Sequence, residues 1–102
     1  MDFIAKNIVT RRLQAFREIM GSCSVLDIIE QMKIDRVFDE NDKIAILGSH
    51  DKPEELFIRL EKAKKAQKIN ILDYRWQLLP WIEVELIIAT DNGIHRYGHK
   101  EP

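Results

Sequence analysis

The sequence predicts a small helical domain. Apolar residues recur at helical spacing in three of the first four segments, and three of the four begin on residues suited to cap a helix. At 102 residues, with 45% apolar and 32% charged side chains, the chain has an ordinary globular balance and can bury one modest core. It has no room for a second domain or a large cofactor. Lys plus Arg total 16 against 17 Asp plus Glu, a net charge of −1, so the basic excess of a dedicated nucleic-acid binder is missing.

In the first segment Val9, Leu13, Phe16 and Met20 fall at spacings of four, three and four, one face of an amphipathic helix over Lys6–Met20. Gly21-Ser22 ends it, and Arg11, Arg12 and Arg17 make its solvent side basic. Ser24 opens the second helix, with Asp27 three residues on as an approximate capping box. Val25, Ile28, Ile29 and Met32 form its buried stripe to about Arg36, after which Val37 and Phe38 enter the core. The acidic turn Asp39-Glu40-Asn41-Asp42 suits the start of a short third helix through Leu47, with Gly48 placed to end it in the left-handed conformation. A short buried strand over Ile44–Leu47 fits those four residues equally well. The fourth helix has Asp51 three residues before Glu54, Pro53 in its first turn, and a buried face of Leu56, Phe57, Leu60 and Ala63.

From Ile69 onward two readings stand side by side. Asn70 is a candidate cap for a fifth helix through Leu79, and Pro80 starts a sixth over Trp81–Thr90. Alternatively Trp-Ile-Glu-Val-Glu-Leu alternates in part, and Asp91-Asn92-Gly93 before Ile94-His95-Arg96-Tyr97 resembles a hairpin turn and return strand. The first reading gives a helical bundle over residues 1–92 and a tail over 93–102, frayed from Gly98 onward. The second gives an α+β fold with a C-terminal β-hairpin.

Chemistry-bearing motifs are sparse. His95 and His99 are four apart, but no cysteine or acid cluster beside them completes a metal site. Cys23, the one cysteine, has neither a disulfide partner nor a placed base, and reads as a structural thiol in a reducing, cytoplasmic setting. Gly48-Ser49 lacks a phosphate-loop pattern. Asp73 and Glu83 read as solvated acids, and Trp76 and Trp81 as packing rather than a ligand box. No secretory leader is visible at Met-Asp-Phe-Ile-Ala-Lys, and the apolar run Leu86–Ala89 is far too short for a membrane span. The expectation is a non-enzymatic chain without cofactor or metal that binds neither nucleic acid nor membrane.

What stands out is the placement of charge. Lys6, Arg11, Arg12 and Arg17 meet no acid in their segment, and Arg59, Lys62, Lys64, Lys65 and Lys68 meet only Glu61. Between Asp27 and Asp42 six acids face only Lys33 and Arg36. Basic first and fourth helices with an acidic second helix and turn give complementary patches that steer association. On opposite sides of one molecule, such patches permit a head-to-tail homo-oligomer or filament.

The helix order, the stretch Ile34-Asp35-Arg36-Val37-Phe38-Asp39-Glu40-Asn41-Asp42 with Ile44–Leu47, and Trp76-Gln77-Leu78-Leu79-Pro80-Trp81-Ile82 resemble the caspase recruitment domain of the death-fold superfamily. The resemblance covers about Ile8 to Ile88. It implies an all-α, six-helix antiparallel Greek-key bundle without enzymatic activity, binding another such domain or itself in apoptotic or innate-immune signalling. It also implies a basic face of Arg11, Arg12, Arg17, Arg59 and Lys62 that meets an acidic face of Asp27, Glu30, Asp35, Asp39, Glu40 and Asp42. On that expectation, reversing Arg59 or Asp27 abolishes partner binding and leaves thermal stability nearly unchanged. Two features depart from the family: the β-branched residues of Trp81–Thr90, and Gln67-Lys68 where a glycine is often seen. The other reading is a small α+β inhibitor or immunity-type binding protein of viral or bacterial origin. A helical DNA-binding regulator comes third, disfavoured by the charge balance.

Overall fold

A computed structural model of the chain describes residues 3–78 and 82–101, with side chains described over 11–75 and 84–98. Four helices come first: α1 (Phe3–Met20), α2 (Val25–Ile34), α3 (Glu40–Leu47) and α4 (Lys52–Lys65). Three strands follow, β1 (Ile71–Leu78), β2 (Ile82–Thr90) and β3 (Gly93–Glu101), in one antiparallel sheet of order β1-β2-β3.

The helix starts follow the local chemistry. Ser24 Oγ accepts from the Asp27 N–H, and Asp39 and Asp42 form a reciprocal capping box at α3. Asp51 accepts from the Glu54 N–H, with Pro53 in the first turn of α4. Each satisfies amides that a helix start leaves without partners. Helices α2 and α4 end alike: Val37 N–H reaches Met32 C=O and Lys68 N–H reaches Ala63 C=O, with Arg36 and Gln67 left-handed at φ 61° and 62°. This is the Schellman arrangement, built without its usual glycine. Gly48, by contrast, stays right-handed at φ −87°.

The all-α six-helix bundle is overturned, because Ile71–Leu78 and Ile82–Thr90 are strands rather than a fifth and sixth helix. The physical reason lies in the side-chain period. Leu72 and Tyr74 alternate with Asp73 and Arg75, and Val84, Leu86 and Ile88 alternate with Glu85, Ile87 and Ala89. A period of two buries one face of a strand; a helix built from the same residues would carry Asp73, Arg75 and Glu85 into its apolar side. Asp91-Asn92 makes the two-residue turn between β2 and β3, with Thr90 paired to Gly93. Gly93–Glu101 is therefore a nine-residue strand where a tail was expected. Leu79, Pro80 and Trp81, part of the expected helix junction, lie outside the described residues. So do the side chains of Lys6, Val9, Trp76, Glu83 and His99.

Helix α1 packs on the sheet and α4 packs beside it. Between the layers sit Phe16, Ile19, Ile28, Ile29, Met32, Ile46, Leu56, Phe57 and Leu60 from the helical half, and Val84, Leu86 and Ile88 from β2. Phe16, Phe57 and Tyr74 form a triangle with each pair of ring centres 5.8 Å apart. Of the positions read as a buried stripe, Ile28, Ile29, Met32, Leu56, Phe57, Leu60 and Ala63 are buried. Among the described residues no helix is long and apolar enough to cross a membrane.

Candidate functional site

The structure engages most of the expected acidic face within the molecule. Glu30 is bridged by Lys43, Glu40 by Lys33 and Asp42 by Arg59, all across helix junctions. The Lys33 ammonium, hydrogen bonded to Glu40, holds the Glu40 carboxyl below its usual pKa. Asp39 is occupied in capping α3. Asp27 lies exposed in the first turn of α2.

Asp35, the α2 cap residue, is the acid whose environment departs most from a surface face. Its side chain is 1% exposed. It accepts from Gln31 Nε2 at 2.9 Å, Thr90 Oγ1 at 2.6 Å and Asn92 Nδ2 at 3.1 Å, and lies 2.6 Å from His95 Nε2. Burial alone would raise its pKa, but the four hydrogen bonds outweigh burial and hold it at about 2. An ionised carboxylate only accepts, so His95 Nε2 carries the proton in this contact. Asp35 thus clips the β2–β3 turn to the end of α2. Oriented His–Asp pairs also occur in hydrolases, but there the histidine needs a nucleophile. Among the described residues no hydroxyl or thiol is hydrogen bonded to His95. Burial pushes the Cys23 thiol pKa upward, away from the reactive thiolate. Among the described residues no group of three His, Cys, Asp or Glu is arranged to hold a metal ion.

The expected basic face divides into two parts. Arg17 forks onto Asp51 at 2.9 and 2.6 Å, and Arg59 holds Asp42 at 2.7 Å and Glu55 at 3.1 Å. These two arginines tie α1 and α3 to α4. Arg12 reaches Glu61 at 2.7 Å and lies 5.2 Å from the centre of the Tyr74 ring, a cation–π distance. Tyr74 donates to the same Glu61 carboxylate, and burial, with Glu61 beside it, drives the phenol pKa far above its ordinary value. Arg11 and Lys62 have no ion-pair partner among the described residues.

Around the fixed Arg12 side chain the surface is concave. A depression of about 390 Å³ between α1 and β1 is lined by Arg11, Arg12, Ala15, Leu72, Asp73 and Tyr74. A second, of about 310 Å³ between α1 and α4, is lined by Arg12, Phe57, Ile58, Glu61, Lys62 and Lys65. Glu61 and Asp73 are each paired, with Arg12 and Arg75. The charge left on the rims is that of Arg11, Lys62 and Lys65. The result is a two-lobed groove with an apolar floor and a cationic edge. Arg11, Lys62 and Lys65 were legible as basic positions and Phe57 as a buried one, whereas Ile58 and Tyr74 join them only because α1, α4 and β1 converge. No family model, no curated protein and no solved structure matches the chain.

Proposed function

We propose that this chain is a small α+β binding protein, of the inhibitor or immunity type, that holds an acidic amphipathic segment of a target protein in the α1–α4–β1 groove. The supporting observation is that groove: apolar side chains at its floor, Arg11, Lys62 and Lys65 on its rims, and no acid within it left unpaired. Apolar side chains of the target fill the two lobes, and its carboxylates meet the rim cations. Burial of the apolar part supplies affinity, while the charges set orientation and association rate. The protein works by occupying a surface rather than by turning over a substrate. The lone, half-buried Cys23 fits a cytoplasmic location.

Selection from a phage-displayed library of random 16-residue peptides tests this reading and needs no candidate target. The expected outcome is enrichment of peptides with two or more carboxylates interleaved with large apolar residues. Their affinity should fall at least about tenfold on the Arg11→Glu/Lys62→Glu double variant, and fall with added salt. Enriched peptides without acidic bias, or ones that bind the double variant equally well, would remove this reading.

A further inference from the structure

The helical layer reaches past the sheet that covers it. Helix α1 packs across β1, β2 and β3, whereas α4 meets the sheet chiefly at β1, the strand at one edge. Lys64 Nζ donates to the Asn70 carbonyl at 2.8 Å, while Glu61 and Phe57 reach Tyr74. Helix α4 therefore runs alongside β1 in the opposite direction, under the margin of the sheet. Its Phe57 and the 37% exposed Ile58 line the lobe between α1 and α4.

The margin itself is open. In an antiparallel edge strand every second residue turns its N–H and C=O away from the sheet. Among the described residues no hydrogen bond from α1 or α4 reaches a backbone group of Ile71–Leu78. Nor does this stretch carry the proline or lysine that often blunts an edge. Leu72, Asp73 and Tyr74 are consecutive, and neighbours in a strand point to opposite faces. All three line the lobe between α1 and β1, so that lobe runs along the free edge rather than beneath the sheet. The two lobes meet at Arg12, which lines both. Together they have the shape of a strand position: backbone hydrogen-bonding groups along one side, an apolar floor below, and Arg11, Lys62 and Lys65 on the rims.

We infer that the target segment binds in extended form, adding to β1 as a fourth strand of the sheet above α4. This deepens the proposed function and rests on the same groove. A helix is about 10 Å across and keeps its backbone bonds to itself, so it would leave the outward groups of β1 to water. A strand settles about 4.8 Å from β1 and pairs with them. Every second side chain then points down onto Phe57, Ile58 and Tyr74, and the carboxylates of the segment reach the rim cations. Backbone bonds supply affinity that depends little on sequence, and the alternate side chains in the lobes supply selectivity.

The tightest peptide from the selection above, synthesised with an N-methyl group at one residue at a time and titrated against the full chain, tests this. An added strand turns alternate N–H groups toward β1. Methylation there should weaken binding at least about tenfold, and methylation at the intervening positions, which face water, should leave it within about threefold. Sensitivity at every central position, as a bound helix would show, or at none, would overturn the inference. Amide exchange of the protein gives a second readout. In the free chain, exchange should alternate fast and slow along Ile71–Leu78. Saturating peptide should slow the fast set at least about tenfold while the outward amides of β3 stay fast. A fast set unchanged by bound peptide would overturn the inference as well. The two readings fail separately. Acid-rich peptides that need Arg11 and Lys62 but show no alternation keep the proposed function and remove the added strand. Peptides without acidic bias that alternate and protect β1 do the reverse. A library that yields no binder removes both.

Discussion

Asp35 has more hydrogen-bond partners than any other side chain described, and they come from both halves of the molecule. Gln31 belongs to α2, whereas Thr90, Asn92 and His95 belong to the β2–β3 hairpin. Its folded pKa, about 2, lies below the ordinary 3.8. A depressed carboxyl pKa contributes stability that is fully present above the unfolded value and is lost as pH falls through the folded one. The loss should therefore run from about pH 4.5 down to about pH 1.5, amounting to about 2 kcal/mol. Asp51, also held at about 2 by the Arg17 guanidinium, titrates in the same window, and Asp42 is likewise lowered. The useful measurement is thus the difference in melting temperature between wild type and Asp35→Asn across pH 2–5, which should shrink as the pH falls. Arg59 supports a second prediction. It sits between Asp42 and Glu55, and both its side chain and theirs are mostly buried. Arg59→Glu should cost about 1–3 kcal/mol in urea unfolding, since it sets three acids against one another. That reverses the expectation that this change leaves stability untouched. Arg11→Glu, on an open rim, should stay within about 0.5 kcal/mol of wild type.

Helices α2 and α4 end on Arg36 and Gln67 at positive φ, exposed and without side-chain partners among the described residues. A left-handed non-glycine residue costs about 1 kcal/mol or more. Arg36→Gly and Gln67→Gly should therefore each stabilise the protein by about 0.5–1 kcal/mol, readable as a rise in urea midpoint at constant slope. Gly98 is the opposite case. At φ +147° it faces Glu85 across the ladder, and an added Cβ would sit 2.1 Å from the Val84 carbonyl oxygen and 2.8 Å from the Glu85 Cα. Gly98→Ala should cost about 2 kcal/mol or more, because backbone rather than a yielding side chain is in the way. These elements also show how far the sequence is legible. Ser24, Asp39 and Asp51 mark helix starts because capping is decided within three residues. The alternation of Leu72, Tyr74, Trp76 and Leu78 with Asp73, Arg75 and Gln77 was equally present in the sequence. Grouping the same apolar residues as a helix missed it. β2 was harder: Ile87 and Ala89, on its outer face, are as apolar as Leu86 and Ile88 on the inner face, which blurs the period of two. The cations of the groove were visible as residues, but their free or paired state was not. Arg17 and Asp51 lie 34 positions apart, and Asp35 and His95 lie 60 apart. Only the assembled fold brings such partners together.

The helices and the sheet share one core, so neither half keeps its apolar surface from water alone. Val84, Leu86 and Ile88 of the central strand belong to the same buried cluster as Phe16, Leu56 and Leu60 of α1 and α4. Asp35 joins the two halves at a second place, through hydrogen bonds instead of packing. A chain held together in this way should unfold as a single unit. Native-state hydrogen exchange distinguishes this from a stable four-helix half carrying a loosely attached hairpin. If the unit is single, the slowest amides of mid-α4, around Leu60, and of β2, around Leu86, exchange with the same free energy, equal to that of global unfolding. Leu86→Ala should then lower both by the same amount, about 2–5 kcal/mol, although it lies on a strand. A fall confined to β2 with α4 unchanged would mean that the sheet opens independently. The groove would then lose its β1 wall, with Leu72 and Tyr74, while α1 and α4 remained folded. In a single unit, binding at the groove instead raises the protection of β2 and α4 together, because a ligand that recognises only the folded state stabilises every amide that exchanges through global unfolding.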